Sequence, residues 1–167
     1  VHIVKIIEGL LKRDDNINLC IDVERRNSLR IHHSATHLLH EALRRHLGDH
    51  ISQKGSLVSP DKLRFDISHN KPISHSDLNI IEIEINNKIR ENFIIKTTVM
   101  NIQKARKIGA LALFGEKYGE EVRVVKMGEN DDQHYSVELC GGTHVNRSGD
   151  IGVFKILSES ALGSGVR

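Results

Sequence analysis

The 167-residue sequence predicts an α+β fold, because stretches with helix periodicity and stretches with strand periodicity are interspersed along the chain. Apolar residues recur at helical spacing over two long stretches, and shorter stretches alternate apolar with polar residues. These elements do not follow the strand–helix–strand rhythm of a parallel α/β sheet. We therefore expect a mixed or antiparallel sheet packed against one long helix and a second helix.

Two major helices are predicted. The first runs from about Glu24 to Leu47 and stops at Gly48, a residue type that commonly ends helices. The second begins near Ser74, whose hydroxyl can cap the first turn. It places one apolar face toward the core, made by Leu78, Ile81, Ile85, Ile89 and Phe93. A short basic helix is expected over residues 101–108.

Alternating apolar and polar residues predict the strands. Residues 1–23 are expected to be extended, with a half-buried strand at Leu19, Ile21 and Val23. Further strands are expected near residues 57–58, 63–67, 94–100, 121–127, 135–139 and 150–157. Residues 109–119 are expected to form a loop and residues 128–132 a polar turn.

Composition excludes several classes of protein. Hydrophobic residues make up 38% of the chain and charged residues 28%, which is ordinary for a soluble globular protein. No stretch approaches the roughly 20 apolar residues of a membrane helix, and the first residues lack the features of a signal peptide. The two cysteines, Cys20 and Cys140, cannot build a disulfide framework, so we expect a reduced, cytoplasmic setting and no membrane partner.

The net charge of +2 does not by itself indicate nucleic-acid binding. Basic residues cluster locally, and such clusters can contact a phosphate backbone. Solvated helix faces are the more common explanation and the one favoured on charge alone. The clusters are Arg25-Arg26, Arg44-Arg45 and Lys104-Ala-Arg106-Lys107.

Two short motifs indicate a metal site. In His33-Ser-Ala-Thr-His37 the histidines are four residues apart, so a helix places both on one face. In Cys140-Gly-Gly-Thr-His144 the glycines permit a tight turn that can direct thiolate and imidazole at one ion. Three nitrogen donors and one sulfur donor suit zinc.

Each motif alone is weak evidence. A histidine pair at this spacing arises often by chance in a chain with 11 histidines, and Gly-Gly turns are frequent. Together they are more telling, because a zinc site needs ligands held by separate segments of a fold. The thiolate would carry the only ligand charge, so we expect a net positive site, suited to an anion, a polarised carbonyl or an activated water.

Several separated motifs, in order and spacing, resemble the editing domain of bacterial alanyl-tRNA synthetase. The resemblance covers nearly the whole chain from about Arg25 onward. It rests on residues 30–40 (Arg-Ile-His-His-Ser-Ala-Thr-His-Leu-Leu-His), 53–57 (Gln-Lys-Gly-Ser-Leu), 63–66 (Leu-Arg-Phe-Asp), 112–118 (Ala-Leu-Phe-Gly-Glu-Lys-Tyr), 138–144 (Glu-Leu-Cys-Gly-Gly-Thr-His) and 150–159. His32 stands where the family often has asparagine.

The resemblance implies an ester hydrolase, an aminoacyl-tRNA deacylase that removes serine or glycine wrongly attached to alanine tRNA. By motif position it implies zinc as cofactor, bound by His33, His37, Cys140 and His144. It also implies an editing pocket that contains Thr36, Gln53 and Ser56, of which Thr36 and Gln53 are the candidates for reading the serine side chain. With four candidate protein ligands, zinc is expected to position the tRNA end rather than to activate water.

The resemblance also implies a domain organisation. Residues 1–24 correspond to the end of a β-barrel domain and residues 25–167 to the editing domain. The chain has no room for an aminoacylation domain and is expected to be a fragment of a full-length synthetase. The implied partners are tRNA(Ala) mischarged with serine or glycine and the remainder of the synthetase.

Alternative interpretations remain open at this stage. A freestanding editing factor would share the same domain. The threonyl-tRNA synthetase editing domain shares the metal pattern but usually carries a different tripeptide between its cysteine and histidine. A structural zinc module could bind RNA without chemistry, and a metal-free scaffold would make the histidines incidental.

Overall fold

The computed structural model describes residues 3–112, 117–128 and 134–167, and it confirms the α+β prediction. Within these residues the elements in chain order are α1 (Val23–Leu47), β1 (Gln53–Val58), β2 (Leu63–Ile67), α2 (His75–Arg90), β3 (Ile95–Asn101), α3 (Ile102–Lys107), β4 (Glu121–Met127) and β5 (Ser136–Leu139). A 3₁₀ turn at Ser148–Ile151 follows β5.

The named strands form two antiparallel sheets. β1 and β2 make a hairpin in which Ser56 lies opposite Phe65, with a register irregularity between Gln53 and Gly55. The other sheet has the order β3-β4-β5. The sequence predicted one mixed or antiparallel sheet, and the described residues form two small antiparallel ones.

Helix α1 is the central element, and its ends follow the expected capping chemistry. The carboxylate of Asp22 accepts a hydrogen bond from the Arg25 amide at 2.9 Å, and the Gly48 amide donates to the Arg44 carbonyl at 2.9 Å. Gly48 has φ 112°, a conformation that favours glycine. The buried part of α1 spans residues 34–43, so the histidine motif lies where the helix enters the core.

The main core lies between α1 and α2. Leu38 of α1 and Ile81 and Ile85 of α2 are completely buried. Ser74 caps α2 as predicted, because its hydroxyl accepts a hydrogen bond from the Asp77 amide at 3.1 Å. A smaller apolar cluster packs α3 against the three-stranded sheet, through Ala105, Val122, Val124 and Leu139. The two clusters fix α1 and the end of β5 relative to the rest of the fold.

The strand predicted at residues 19–23 is wrong. Residues 3–22 contain no strand, Leu19 is 76% exposed, and Val23 already belongs to α1. An alternating pattern forms a stable strand only where a neighbouring strand satisfies its backbone groups, and none of the described residues does so here. The assignment of residues 1–24 to a β-barrel stays a prediction, because it depends on strands outside the described ones.

The strand predicted at residues 150–157 is also wrong. Residues 148–151 form the 3₁₀ turn, and residues 152–162 have no regular secondary structure. Side chains of α2 satisfy this backbone in place of a strand. The Asn86 side chain donates to the Phe154 carbonyl and accepts from its amide, both at 2.9 Å, and Glu82 accepts from the Ile156 amide at 2.8 Å.

Two other expectations fall partly outside the described residues. Residues 113–116 belong to the predicted loop and to one of the resemblance motifs, and residues 129–133 belong to the predicted turn; both stretches lie outside the described part of the chain. Among the helices that are described, none combines the length and the apolar character that crossing a membrane requires.

Candidate metal centre

The fold brings the four predicted donors together. One ligand atom each from His33, His37, Cys140 and His144 lies within 4.8 Å of every other. The sulfur of Cys140 is 3.3 Å from Nε2 of His33 and 3.4 Å from Nε2 of His144. The cluster therefore has the composition and the compactness of a site that could hold a metal ion.

Helix α1 fixes one half of the cluster. His33 and His37 lie on consecutive turns, with ring centroids 5.3 Å apart and ring planes inclined by only 22°. The ring of His144 approaches from the other side, at 4.4 Å from His33 and 5.0 Å from His37. Because a helix is rigid over one turn, the two α1 histidines are preorganised before any ion arrives.

The loop after β5 provides the other two donors, Cys140 and His144, and contacts with β4 fix its conformation. The guanidinium of Arg123 donates to the carbonyl of Cys140 at 3.3 Å and also to the carbonyl of Gly142. The Cys140 amide donates to the Arg123 carbonyl at 3.0 Å. These contacts hold the turn in place on its β4 side.

Gly142 has a steric role. A Cβ added there would lie 1.9 Å from Cε1 and 2.4 Å from Nδ1 of the His33 ring. The same addition at Gly141 would meet nothing within 4 Å. Neither residue has a positive φ, so the second glycine is required for close approach to His33 rather than for an unusual backbone conformation.

Sequence reasoning missed Glu138. Glu138 is 2% exposed, and its carboxylate lies 2.8 Å from Nδ1 of His37 and 3.1 Å from Nδ1 of His40. The Ser136 hydroxyl donates to Glu138 Oε1 at 3.2 Å. The available signal was its position two residues before Cys140 at the end of a strand, which places both side chains on one side.

At Cys140 and His144, the electrostatics of the cluster favours the protonation states that a metal needs. Burial alone would raise the pKa of the Cys140 thiol, but hydrogen bonds with His144 and His33 lower it to about 3. Burial lowers the pKa of His144 to about 4. A thiolate and a neutral imidazole are the ligand forms of these groups.

The pKa of His37 shifts in the opposite direction from that of His144. Burial alone would lower its pKa, but attraction to the Glu138 carboxylate raises it to about 10. In turn, although burial opposes ionisation of Glu138, the His37 charge lowers the pKa of that carboxyl group well below its usual range. His37 and Glu138 thus form an ion pair between α1 and β5.

The hydrogen bonding of the buried His37 nitrogens indicates whether the cluster fits a metal ion. Nε2 of His37 is buried and has no hydrogen-bond partner among the described residues, while Nδ1 is taken by Glu138. Buried polar atoms normally have a hydrogen-bond partner. A buried nitrogen without one, at the centre of a donor cluster, is expected where that nitrogen binds a metal ion. The residues therefore fit a metal ion with three nitrogen ligands and one sulfur ligand.

The predicted pocket residues lie on α1 and on the hairpin of β1 and β2. Thr36 is 5% exposed on α1, and its hydroxyl donates to the His32 carbonyl at 2.8 Å, within its own helical turn. Gln53 begins β1 opposite Ile67, and Ser56 is exposed opposite Phe65. The Phe65 ring lies 5.2 Å from the His40 ring, so the hairpin packs on α1 one turn beyond His37. Their roles stay predictions.

One basic cluster is largely neutralised within the protein. Arg44 pairs with Asp49 at 2.8 Å and Arg45 with Glu41 at 2.7 Å. The Arg45 guanidinium also lies 4.4 Å from the centre of the Tyr135 ring. These contacts favour the structural explanation for this pair over a phosphate contact.

Comparison with known proteins first gives a class of domain. Residues 122–167 match a family described as "Threonyl and Alanyl tRNA synthetase second additional domain". The matched segment includes Cys140 and His144, which is the half of the cluster contributed by the turn after β5.

The individual relatives point to the alanyl rather than the threonyl member of this class. The "Alanine--tRNA ligase" of Parvibaculum lavamentivorans is 56% identical, and that of Gluconobacter oxydans 55%, each over 100% of this chain and 19% of the relative. The corresponding protein of Sphingopyxis alaskensis is 55% identical over 99% of the chain and 19% of its own length. The chain thus spans about a fifth of the length of these relatives. The resemblance to the editing region of alanyl-tRNA synthetases is confirmed.

Proposed function

We propose that this chain acts as the tRNA-editing domain of an alanine–tRNA ligase and hydrolyses the ester that links serine or glycine to tRNA(Ala). The observation that carries the proposal is the four-donor cluster, formed by the two motifs of the resemblance. The full-chain similarity to alanine–tRNA ligases supports the same assignment.

The chemistry of alanine selection explains the need for such a site. A pocket that accepts alanine cannot strongly reject glycine, which is smaller, or serine, which only adds a hydroxyl group. A second site that forms hydrogen bonds with that hydroxyl discriminates far better, because alanine would leave its polar groups unpaired.

Zinc is the proposed metal, with His33, His37, Cys140 and His144 as ligands. When bound, zinc would fix the geometry of the site and so help to position the 3′ end of the charged tRNA. Four protein ligands are typical of a closed site. The same feature also suits the second candidate, a structural zinc module that binds RNA without chemistry.

The pocket residues are assigned by what their side chains can offer. The Gln53 amide can both donate to and accept from a serine hydroxyl. The Thr36 hydroxyl already uses its hydrogen for the His32 carbonyl, so toward a substrate it acts as a hydrogen-bond acceptor. Ser56 is exposed on the face of the hairpin that Phe65 also occupies, where its hydroxyl can contact the ester or the ribose.

The proposed partners are mischarged tRNA(Ala) and the remainder of a synthetase, in the cytoplasm. The chain spans about a fifth of its relatives, so part of the tRNA recognition is expected to reside in the rest of such an enzyme. We expect the isolated chain to bind tRNA more weakly than a full-length synthetase would.

The test is deacylation of serine-charged tRNA(Ala) together with zinc content. Cys140→Ala removes a proposed ligand and should abolish both zinc binding and serine release. Cys20→Ala is the matched control, because Cys20 is exposed and is not one of the four donors, and it should change neither. A Cys140→Ala protein with full activity would refute the proposal, and stoichiometric zinc without deacylation would favour the structural module.

A further inference from the structure

Glu138 occupies an unusual position for a carboxylate. It is almost completely buried, and its two oxygens face two different histidines of α1, His37 through Oε2 and His40 through Oε1. Removing a carboxylate from water is costly unless it is paired and hydrogen-bonded. Ser136 provides a further hydrogen bond to Oε1, so the carboxylate is held by three donors.

This arrangement determines the tautomers of both histidines. A carboxylate only accepts hydrogen bonds, so each Nδ1 facing it must carry the hydrogen. The Nε2 of a neutral His37 is then left with a lone pair, and it is buried without a hydrogen-bond partner among the described residues. Nε2 of His40 is buried in the same condition, beside the Phe65 ring.

We propose that Glu138 is a positioning residue for the metal centre, which orients His37 so that Nε2 faces the ion. The proposal rests on the metal cluster of the proposed function and extends it to a residue outside the ligand set. A hydrogen bond from the second nitrogen of a ligating histidine to a carboxylate fixes the ring orientation and raises the basicity of the ligand nitrogen.

Glu138 also changes the net charge of the metal centre from the one expected from the sequence. The sequence indicated a net positive site with Cys140 as the sole negative group. With the Glu138 carboxylate in contact with His37, the charge of a divalent ion is offset by two negative charges. These are the Cys140 thiolate and the Glu138 carboxylate. Such a balanced centre is better suited to holding its ligand residues in fixed positions than to ionising a water molecule.

The experiment is a metal-affinity measurement on Glu138→Gln, which keeps size and shape. Glutamine offers one acceptor and one donor group, so it cannot accept from both histidines. We expect zinc affinity, measured by competition with a chromophoric chelator, to fall about 10–100-fold. The cobalt-substituted protein should show an altered visible spectrum. Glu121→Gln, an exposed glutamate on β4, is the control and should match the wild type.

A double-mutant cycle separates positioning from a general structural effect. If Glu138 acts through His37, then Glu138→Gln should cause no further loss of zinc affinity in a His37→Ala background. Additive losses would overturn the proposal. Unchanged zinc affinity and an unchanged spectrum in Glu138→Gln would also overturn it. So would a Glu138→Gln protein that circular dichroism shows to be unfolded without metal.

These outcomes can be distinguished from failure of the proposed function. Zinc binding by the wild type without serine release would reject the editing activity and leave the role of Glu138 intact. Tight zinc binding that Glu138→Gln does not weaken would reject only the role of Glu138. A wild-type protein that binds no zinc would reject both.

Discussion

Alanine at position 142 should disable the metal centre through a single methyl group. The added Cβ would lie 1.9 Å from Cε1 of His33, whereas carbon atoms in contact need about 3.5 Å. The ring must therefore move by about 1.6 Å if the loop stays in place. Zinc–ligand distances tolerate about 0.2 Å, so His33 would no longer reach an ion held by the other three ligands. Losing one ligand should cost more than the 10–100-fold typical of outer-shell changes.

The assay is zinc affinity of Gly142→Ala by chelator competition, with serine release from tRNA(Ala) measured in parallel. We expect at least a 100-fold loss of affinity, by the same comparison with outer-shell changes, and loss of deacylation. Gly141→Ala is the matched control, because its Cβ meets nothing within 4 Å, and it should retain both properties. Equal zinc affinity in the two variants would refute the steric role of Gly142 and the placement of His33.

Three further predictions follow from other parts of the structure. Gln53→Ala should slow serine release and leave zinc content unchanged, as measured by single-turnover kinetics and elemental analysis; unaltered kinetics would remove Gln53 from the pocket. Stripping the metal with phenanthroline should lower the melting temperature and abolish deacylation. Zinc should restore both and magnesium should not, since magnesium prefers oxygen ligands; rescue by magnesium would contradict the assigned donors. Ile81→Ala, at a fully buried position, should lower the free energy of unfolding in urea by about 2–5 kcal/mol, whereas Ile83→Ala, at a position 59% exposed, should change it little.

The long helix was predictable because several local signals agree. Its buried stripe, the stop at Gly48 and the basic last turn all indicate the same element, and α1 spans Val23–Leu47. The Ser74 cap and the apolar face of α2 were predictable for the same reason. Elements of this kind depend on residues a few positions apart, and the sequence displays those residues directly.

The two wrong strands show where local patterns are insufficient. Residues 19–23 alternate, yet Leu19 and Ile21 are mostly exposed because no neighbouring strand pairs with them among the described residues. Residues 152–157 have apolar character but are fixed by Asn86 and Glu82 of α2. Both outcomes depend on partners far away in sequence, which an alternating pattern does not identify.

The candidate site was only partly predictable. Spacing on a helix and in a glycine turn was enough to nominate His33 and Cys140 with their motif partners, and the fold brings them together. The contacts of Glu138 with His37 and His40 span 101 and 98 residues of sequence. The position of Glu138 two residues before Cys140 places it near the site but does not identify these partners. The net positive charge expected for the site was inferred without this carboxylate.

Zinc K-edge X-ray absorption on the purified protein tests the central claim most directly. We expect about one zinc per chain, with a shell of one sulfur at about 2.3 Å and three nitrogens at about 2.0–2.1 Å. A shell without sulfur, or a protein that retains no zinc after exposure to it, would contradict the assignment of the four side chains to a single ion.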